Sequence, residues 1–175
     1  MVRLVNMPNQ QTKSFSFWIV LAVVLIALDQ VTKLYFEYNF DFAERVNVLP
    51  FFDFILVYNT GAAFSMGADA GGWQRWFFIG LAIAASAFIV YLLKKNKEQS
   101  LFCFAITLIM AGAIGNVIDR IVHGHVIDFL LFYWDNWNFY FPAFNIADCF
   151  ITVGAALVII DELFFAKKKP TKEAS

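Results

Sequence analysis

Long apolar runs alternate with short mixed stretches along the chain, and the runs are too continuous for the alternation of a half-buried strand or the single stripe of a soluble helix. Four of them read as membrane-crossing helices, at approximately residues 15–35, 73–93, 101–118 and 148–165. At about 1.5 Å per residue, runs of this length match a hydrocarbon core of roughly 30 Å. The first run leads into Asp29, Gln30 and Lys33 rather than a small-residue cleavage site, so it reads as a retained span and not as a signal peptide. The connections 37–72 and 119–147 are too mixed to cross. In the first of them, Val46 and Val48, then Ile55 and Val57, alternate with other residues between the breaks at Pro50 and Asn59–Gly61, which predicts short strands. In the second, Leu131–Phe144 is dense in aromatic residues and reads as a loop that anchors at the headgroups or closes over a site. The expected fold class is an all-α integral membrane protein: four transmembrane helices with a small extracytoplasmic β-sheet and a short surface helix or loop, making one domain of residues 1–175.

Composition agrees with a bilayer as solvent. The chain is 61% hydrophobic and 15% charged, whereas soluble domains are nearer half apolar and a quarter charged. A net charge of -1 leaves no electrostatic footprint for nucleic acid. Cys103 and Cys149 lie inside apolar runs and read as small buried hydrophobes rather than a disulfide framework. The basic residues are sorted by side. Arg3, Lys13, Lys94, Lys95, Lys97, Lys167, Lys168, Lys169 and Lys172 fall on one side of a four-span arrangement; Arg45, Arg75, Arg120 and the helix-borne Lys33 fall toward the other. Positive charge marks the cytoplasmic side, so both termini are expected in the cytoplasm. Asp29, Asn59, Asn116, Asp119, Arg120, Asp128, Asn145 and Asp148 then converge at the outer face.

Polar and ionised groups at membrane depth are costly and commonly mark function. Asp148 opens an apolar helix, where a carboxylate can cap free N–H groups, and Asp128 alone can be a loop carboxylate. Brought together, the two cannot both ionise easily; sharing one proton, they can activate a water and protonate an amide carbonyl without metal or covalent intermediate. Asp29 and Lys33 stand four residues apart and pair on one helix face, as an interfacial ion pair or as part of a site. Asp119 and Arg120 read as an ion pair at a helix end, or with Arg120 orienting a carbonyl or a lipid headgroup. Asn59 is a turn residue on spacing alone, and Asn116 and Asn145 either cap helices or hydrogen-bond an extended substrate. Two rival chemistries are weak. His123 and His125 lack the helical spacing of a zinc site. Cys149 as a nucleophile is expected on a different helix face from Asp148. A transporter or proton relay using the same carboxylates is the alternative of another class.

The ordered stretches Asp29-Gln-x-x-Lys33, Asn59-Thr-Gly-Ala-Ala-Phe64, Gly115-Asn-Val-Ile-Asp-Arg120, Gly124-His-Val-Ile-Asp-Phe129 and Phe144-Asn-Ile-Ala-Asp148 resemble the lipoprotein signal peptidases, or signal peptidase II, a bacterial family of inner-membrane aspartic peptidases. The resemblance implies that Asp128 and Asp148 are the catalytic dyad. It implies that Asn59, Asn116, Arg120 and Asn145 line the substrate site, with Asp29, Lys33, Gly61 and Asp119 supporting it, and that neither metal nor cofactor takes part. The implied substrate is a prolipoprotein cut just before a diacylglyceryl-modified cysteine, and the implied inhibitor is globomycin. Membrane lipid is the other expected partner, nucleic acid is not, and the chain is expected to be a monomer in the bacterial inner membrane with its site near the outer leaflet.

Overall fold

The structure, a computed structural model, describes residues 13–61, 72–134, 136 and 138–164. In chain order it has helix α1 (Phe15–Asn39), strands β1 (Arg45–Leu49) and β2 (Phe52–Asn59), helices α2 (Trp73–Lys95) and α3 (Ser100–Val122), strands β3 (Val126–Trp134) and β4 (Phe139–Tyr140), and helix α4 (Ile146–Phe164). Arg3, the basic cluster Lys167–Lys172 and Ala62–Phe64 lie outside the described residues.

Among the described residues, α1, α2 and α3 are long and apolar enough to cross a membrane. The 19-residue α4 carries Asp148, Asp161 and Glu162, which sets it apart by charge. The helices surround α3. Of its most apolar stretch, 61% is buried, against 17% for α1 and for α2. Valines 20, 23, 24 and 31 of α1 stay exposed, as lipid-facing side chains do where hydrocarbon rather than water is the surrounding medium. Close approach comes from small residues: a Cβ on Gly112 would collide with the Ala147 carbonyl oxygen, and one on Gly154 would meet the Ala105 carbonyl oxygen at 2.6 Å. α3 and α4 therefore touch backbone to backbone at both ends of their contact. Ser14 caps α1 by accepting from the Phe17 N–H at 3.2 Å. Lys94 and Lys95 occupy the last turn of α2, where cations suit the helix dipole.

Two elements differ from the sequence expectation. α3 continues through Val122, beyond the expected end at 118, so Asp119 and Arg120 lie within its last turns and not past them. Asp119 is neutralised there by Lys33, which removes the charge that marked a boundary. The second difference is β3. The strands were expected in 37–72 only, but Val126–Trp134 of the aromatic connection is the third member of a four-stranded antiparallel sheet of order β1-β2-β3-β4. Both faces of β3 are largely buried, so it shows a continuous apolar run instead of alternation, and such runs cannot be told from helix by period. One face of the sheet packs Leu56, Ile127 and Phe129 against Phe36 at the end of α1, with the Phe36 and Phe129 rings stacked at 4.2 Å. The other face carries Asp128.

Candidate active site

The register of β2 against β3 is what brings the first polar residues together. Val57 pairs with Asp128 and Asn59 with Val126, so Asn59 and Asp128 are diagonal neighbours on one face of the sheet. Asn59 Nδ2 donates to Asp128 Oδ2 at 3.1 Å, while its Oδ1 accepts from the Gly61 N–H at 3.0 Å. Downstream, Phe144 forms an isolated bridge with Leu130, its N–H donating to the Leu130 carbonyl at 3.0 Å. That bridge carries the start of α4 to the residues beside Asp128.

Asn145 and Asp148 then cap α4 reciprocally. The Asp148 N–H donates to Asn145 Oδ1 at 3.0 Å, and the Asn145 N–H donates to Asp148 Oδ2 at 3.2 Å, the arrangement of a capping box. Asn145 Nδ2 donates in addition to Asp128 Oδ1 at 2.7 Å. A single asparagine thus bonds to both carboxyl groups. From α3, Asn116 Nδ2 donates to the other Asp148 oxygen, Oδ1, at 2.8 Å. Arg120 donates through Nη2 to the Gly61 carbonyl at 3.0 Å and through Nη1 to the Asn116 carbonyl at 3.3 Å.

Directly behind Asn116 lies a closed ionic knot. Lys33 is 1% exposed and donates to Asp29 Oδ2 and Asp119 Oδ2, both at 2.9 Å, and to Asn116 Oδ1 at 2.8 Å. Asp29 Oδ1 accepts from the Ala147 N–H at 2.9 Å, and Asp119 Oδ2 from the Ile127 N–H at 3.2 Å. The knot ties α1, α3, β3 and the first turn of α4 at one point. Asp119 pairs with Lys33 across helices, where sequence spacing offered an ion pair with the adjacent Arg120.

Asn59, Asn116, Arg120 and Asp148 form the polar end of a cavity of about 570 Å³ whose other walls include Val126, Phe141–Phe144, Ile151 and Val153. Asp128, 2% exposed and bonded to Asn59 of the lining, does not itself line the cavity, whereas Asp148 lines it and is half-buried. Burial, and then the neighbouring Asp148 carboxylate, push the Asp128 carboxyl up to about 7, against the pull of its Asn59 and Asn145 donors. Two carboxyl groups, four fixed amide or guanidinium donors and an apolar cleft can hold one water and one extended peptide.

Asp29, Lys33, Asn59, Gly61, Asn116, Asp119, Arg120, Asp128, Asn145 and Asp148 are therefore in one bonded network. Gln30 was missed: its Nε2 donates to Asp119 Oδ1 at 2.8 Å and to the Gly115 carbonyl at 3.2 Å. Its place between Asp29 and Lys33 was the available signal. Cys149, read from the sequence as a small buried hydrophobe, is half-buried and lines the cavity together with Asp148. His125 packs on the Tyr58 ring, centroids 4.2 Å apart, and burial holds its imidazole below the usual range.

Residues 21–164 match the family model described as signal peptidase (SPase) II. The chain belongs to the signal peptidase II family. It is an aspartic endopeptidase of the membrane, a class that processes lipoproteins. A lipoprotein signal peptidase of Cupriavidus necator is 57% identical over 146 residues, covering 83% of this chain and 82% of the relative. One from Neisseria meningitidis is 49% identical over 167 residues, covering 95% and 99%. A solved structure described as a bacterial membrane enzyme determined in meso at 2.3 Å resolution superposes with a TM-score of 0.79 at 32% identity, over 95% of this chain and all of the other. As a signal peptidase II the chain acts on lipoprotein signal peptides.

Proposed function

We propose that this signal peptidase II cuts diacylglyceryl-modified prolipoproteins on the N-terminal side of the lipidated cysteine, with Asp128 and Asp148 gripping one water between them. The observation that carries the reading is Asn145, whose side-chain N–H and backbone N–H reach one carboxyl group each, at 2.7 and 3.2 Å. It holds the pair in a common environment although the two residues belong to different elements.

The chemistry follows from one shared proton. The ionised carboxylate takes a proton from the water as the water oxygen bonds to the scissile carbonyl carbon. Its protonated partner gives a proton to the carbonyl oxygen, leaving a neutral gem-diol. In the second half the C–N bond breaks as the amine nitrogen takes the proton that the base had gained. A diol hydroxyl returns its proton to the other carboxylate, releasing a carboxylic acid and the free amine of the lipidated cysteine. Asn59, Asn116 and Arg120 line the polar end of the cleft; they orient the substrate backbone once its signal helix unwinds, as exposed amides in a lipid setting require.

The membrane placement belongs to the same proposal. α4 joins α1, α2 and α3 as a fourth span, both termini are cytoplasmic, and the sheet lies on the outer surface of the inner membrane. A diacylglyceryl group keeps its acyl chains in the outer leaflet, so the scissile bond has to be presented at that depth. Membrane lipid and the inhibitor globomycin are the other ligands of the cleft, and the protein works as a monomer without metal or cofactor. The test is a peptidase assay on purified protein in detergent with a lipidated pro-form substrate, with and without Asp128→Asn. Release of the signal peptide by the wild type alone supports the reading. Equal release by the variant, or cleavage away from the lipidated cysteine, overturns it.

A further inference from the structure

The Lys33 ammonium has three N–H donors and no acceptor, and all three are spent: on Asp29, on Asp119 and on Asn116 Oδ1. This last bond, at 2.8 Å the shorter of the two that Asn116 Oδ1 accepts (the other is from Asn145 Nδ2 at 3.2 Å), helps fix which way the Asn116 amide faces. A flipped amide would set its NH₂ group against the ammonium, so Nδ2 has to point at Asp148, where it donates at 2.8 Å. With the dyad reading above as its premise, we propose that Lys33 is a positioning residue for the reaction. By claiming the Asn116 carbonyl it holds that amide's N–H on Asp148, which makes Asp148 the ionised, water-activating carboxylate and leaves Asp128 as the proton donor.

Three observations converge on the same division. Asp148 sits in the first turn of α4, where the helix dipole favours an anion; each oxygen of both carboxyl groups accepts an N–H, so the dipole and not the donor count separates them here. Asp148 is partly open to the cavity from which a water must come. Asp128 is 2% exposed on β3, where an ion is poorly solvated. The charged groups around the pair are Asp29 and Lys33 from α1 and Asp119 and Arg120 from α3. Within the knot the two aspartates outnumber Lys33, so its influence reaches Asp148 through the oriented amide and not as an unmatched positive charge. In the first half of the reaction, then, the water proton moves to Asp148 and the Asp128 proton moves to the carbonyl oxygen; in the second half Asp148 delivers its proton to the leaving amine.

The experiment is steady-state cleavage of a lipidated pro-form peptide in detergent across a pH series. It uses Lys33→Met and the pair Lys33→Met with Asp29→Asn, the latter removing one cation and one anion together. Rates are normalised to folded protein by circular dichroism. The expected result in a folded variant is a kcat lower by about tenfold or more. KM should stay within about threefold, the pattern of an interaction felt in the transition state. The acid limb of the pH–rate profile should move to higher pH, because the base has lost a donor that favours its ionised form. A normal kcat, or a loss of rate with an unmoved profile, overturns the proposal, as does failure of both variants to fold, which would assign Lys33 to the fold alone. Asp128→Asn and Asp148→Asn run beside them: activity in either removes the dyad itself, whereas inactivity in both with normal Lys33 variants removes only the positioning role.

Discussion

Two groups of carboxylates sit side by side at the same end of the helices, and they differ in one respect: the presence of a bonded cation. Asp29 and Asp119 are at most 1% exposed and share the three donors of Lys33 with Asn116. Among the described residues, Asp128 and Asp148 accept from amides, those of Asn59, Asn116 and Asn145. A buried carboxylate bonded to an ammonium has its charge matched. Asp128 has no such partner among the described residues, and burial followed by the neighbouring Asp148 carboxylate pushes its carboxyl up to about 7. In the mechanism proposed above, the same side chain is thus a rivet in one group and a reagent in the other.

The comparison breaks first on the reagent side. Asp128→Asn and Asp148→Asn should each lower kcat by at least the factor of roughly 10² to 10⁴ that acid–base catalysis supplies, with the protein still folded in detergent. Stability should move the opposite way in Asp128→Asn. The native carboxyl binds its proton more tightly than the ordinary value of 3.8 allows, so wild-type stability falls as pH rises from that value through about 7. Asparagine cannot ionise and escapes the loss. Melting curves should therefore favour the variant above pH 7, by a few kcal/mol at most at about 1.4 kcal/mol per pKa unit, and the gap should close in acid.

On the rivet side the effect should be on folding. Asp119→Ala leaves Lys33 short of an acceptor and the Ile127 N–H unpaired, and breaking one partner of a buried ion pair typically costs about 3–5 kcal/mol. Thermal melting should drop steeply, and the residual activity should track the folded fraction. A smaller, sharper prediction concerns pH. With Asp128 as the proton donor of the proposed mechanism, kcat/KM should decline on the alkaline side with a midpoint near 7. In Asp119→Ala that midpoint should stay within about half a pH unit while the melting temperature falls, if the two groups have the separate duties assigned to them.

Much of this was legible before any coordinates. Polar residues at the ends of apolar runs pointed to Asp29, Asn116, Asp128 and Asp148, because charge at membrane depth has few cheap explanations. What the sequence hid was connectivity. β3 was unreadable as a strand because both of its faces are buried, so Asp128 was expected in a loop when its position depends on a register against Val57. The partner of Asp119 is 86 residues upstream in α1, and spacing along a helix could only offer Arg120. Cys149 follows Asp148 directly, which on an ideal helix turns it away; the return of Phe141–Phe144 along the cavity wall brings both to one space. Local chemistry was visible, and long-range pairing was not.

The mildest test uses two glycines of neighbouring helices. A Cβ on Gly115 would collide with Asp29 Oδ2, inside the knot, whereas one on Gly80 meets nothing within 4 Å. Neither residue has the left-handed backbone that favours glycine, so the only difference is what the added methyl touches. Gly80→Ala should be neutral or slightly stabilising, since alanine loses less chain entropy in a helix, by about 0.5–1 kcal/mol. Gly115→Ala has to push the Asp29 carboxylate off Lys33 or separate α1 from α3, and overpacking of this kind typically costs about 1–3 kcal/mol. Melting temperatures of the two variants in the same detergent give the comparison directly. If Gly115→Ala melts with Gly80→Ala, the knot has slack, and the rigid partition between riveted and reactive carboxylates is wrong at its most crowded point.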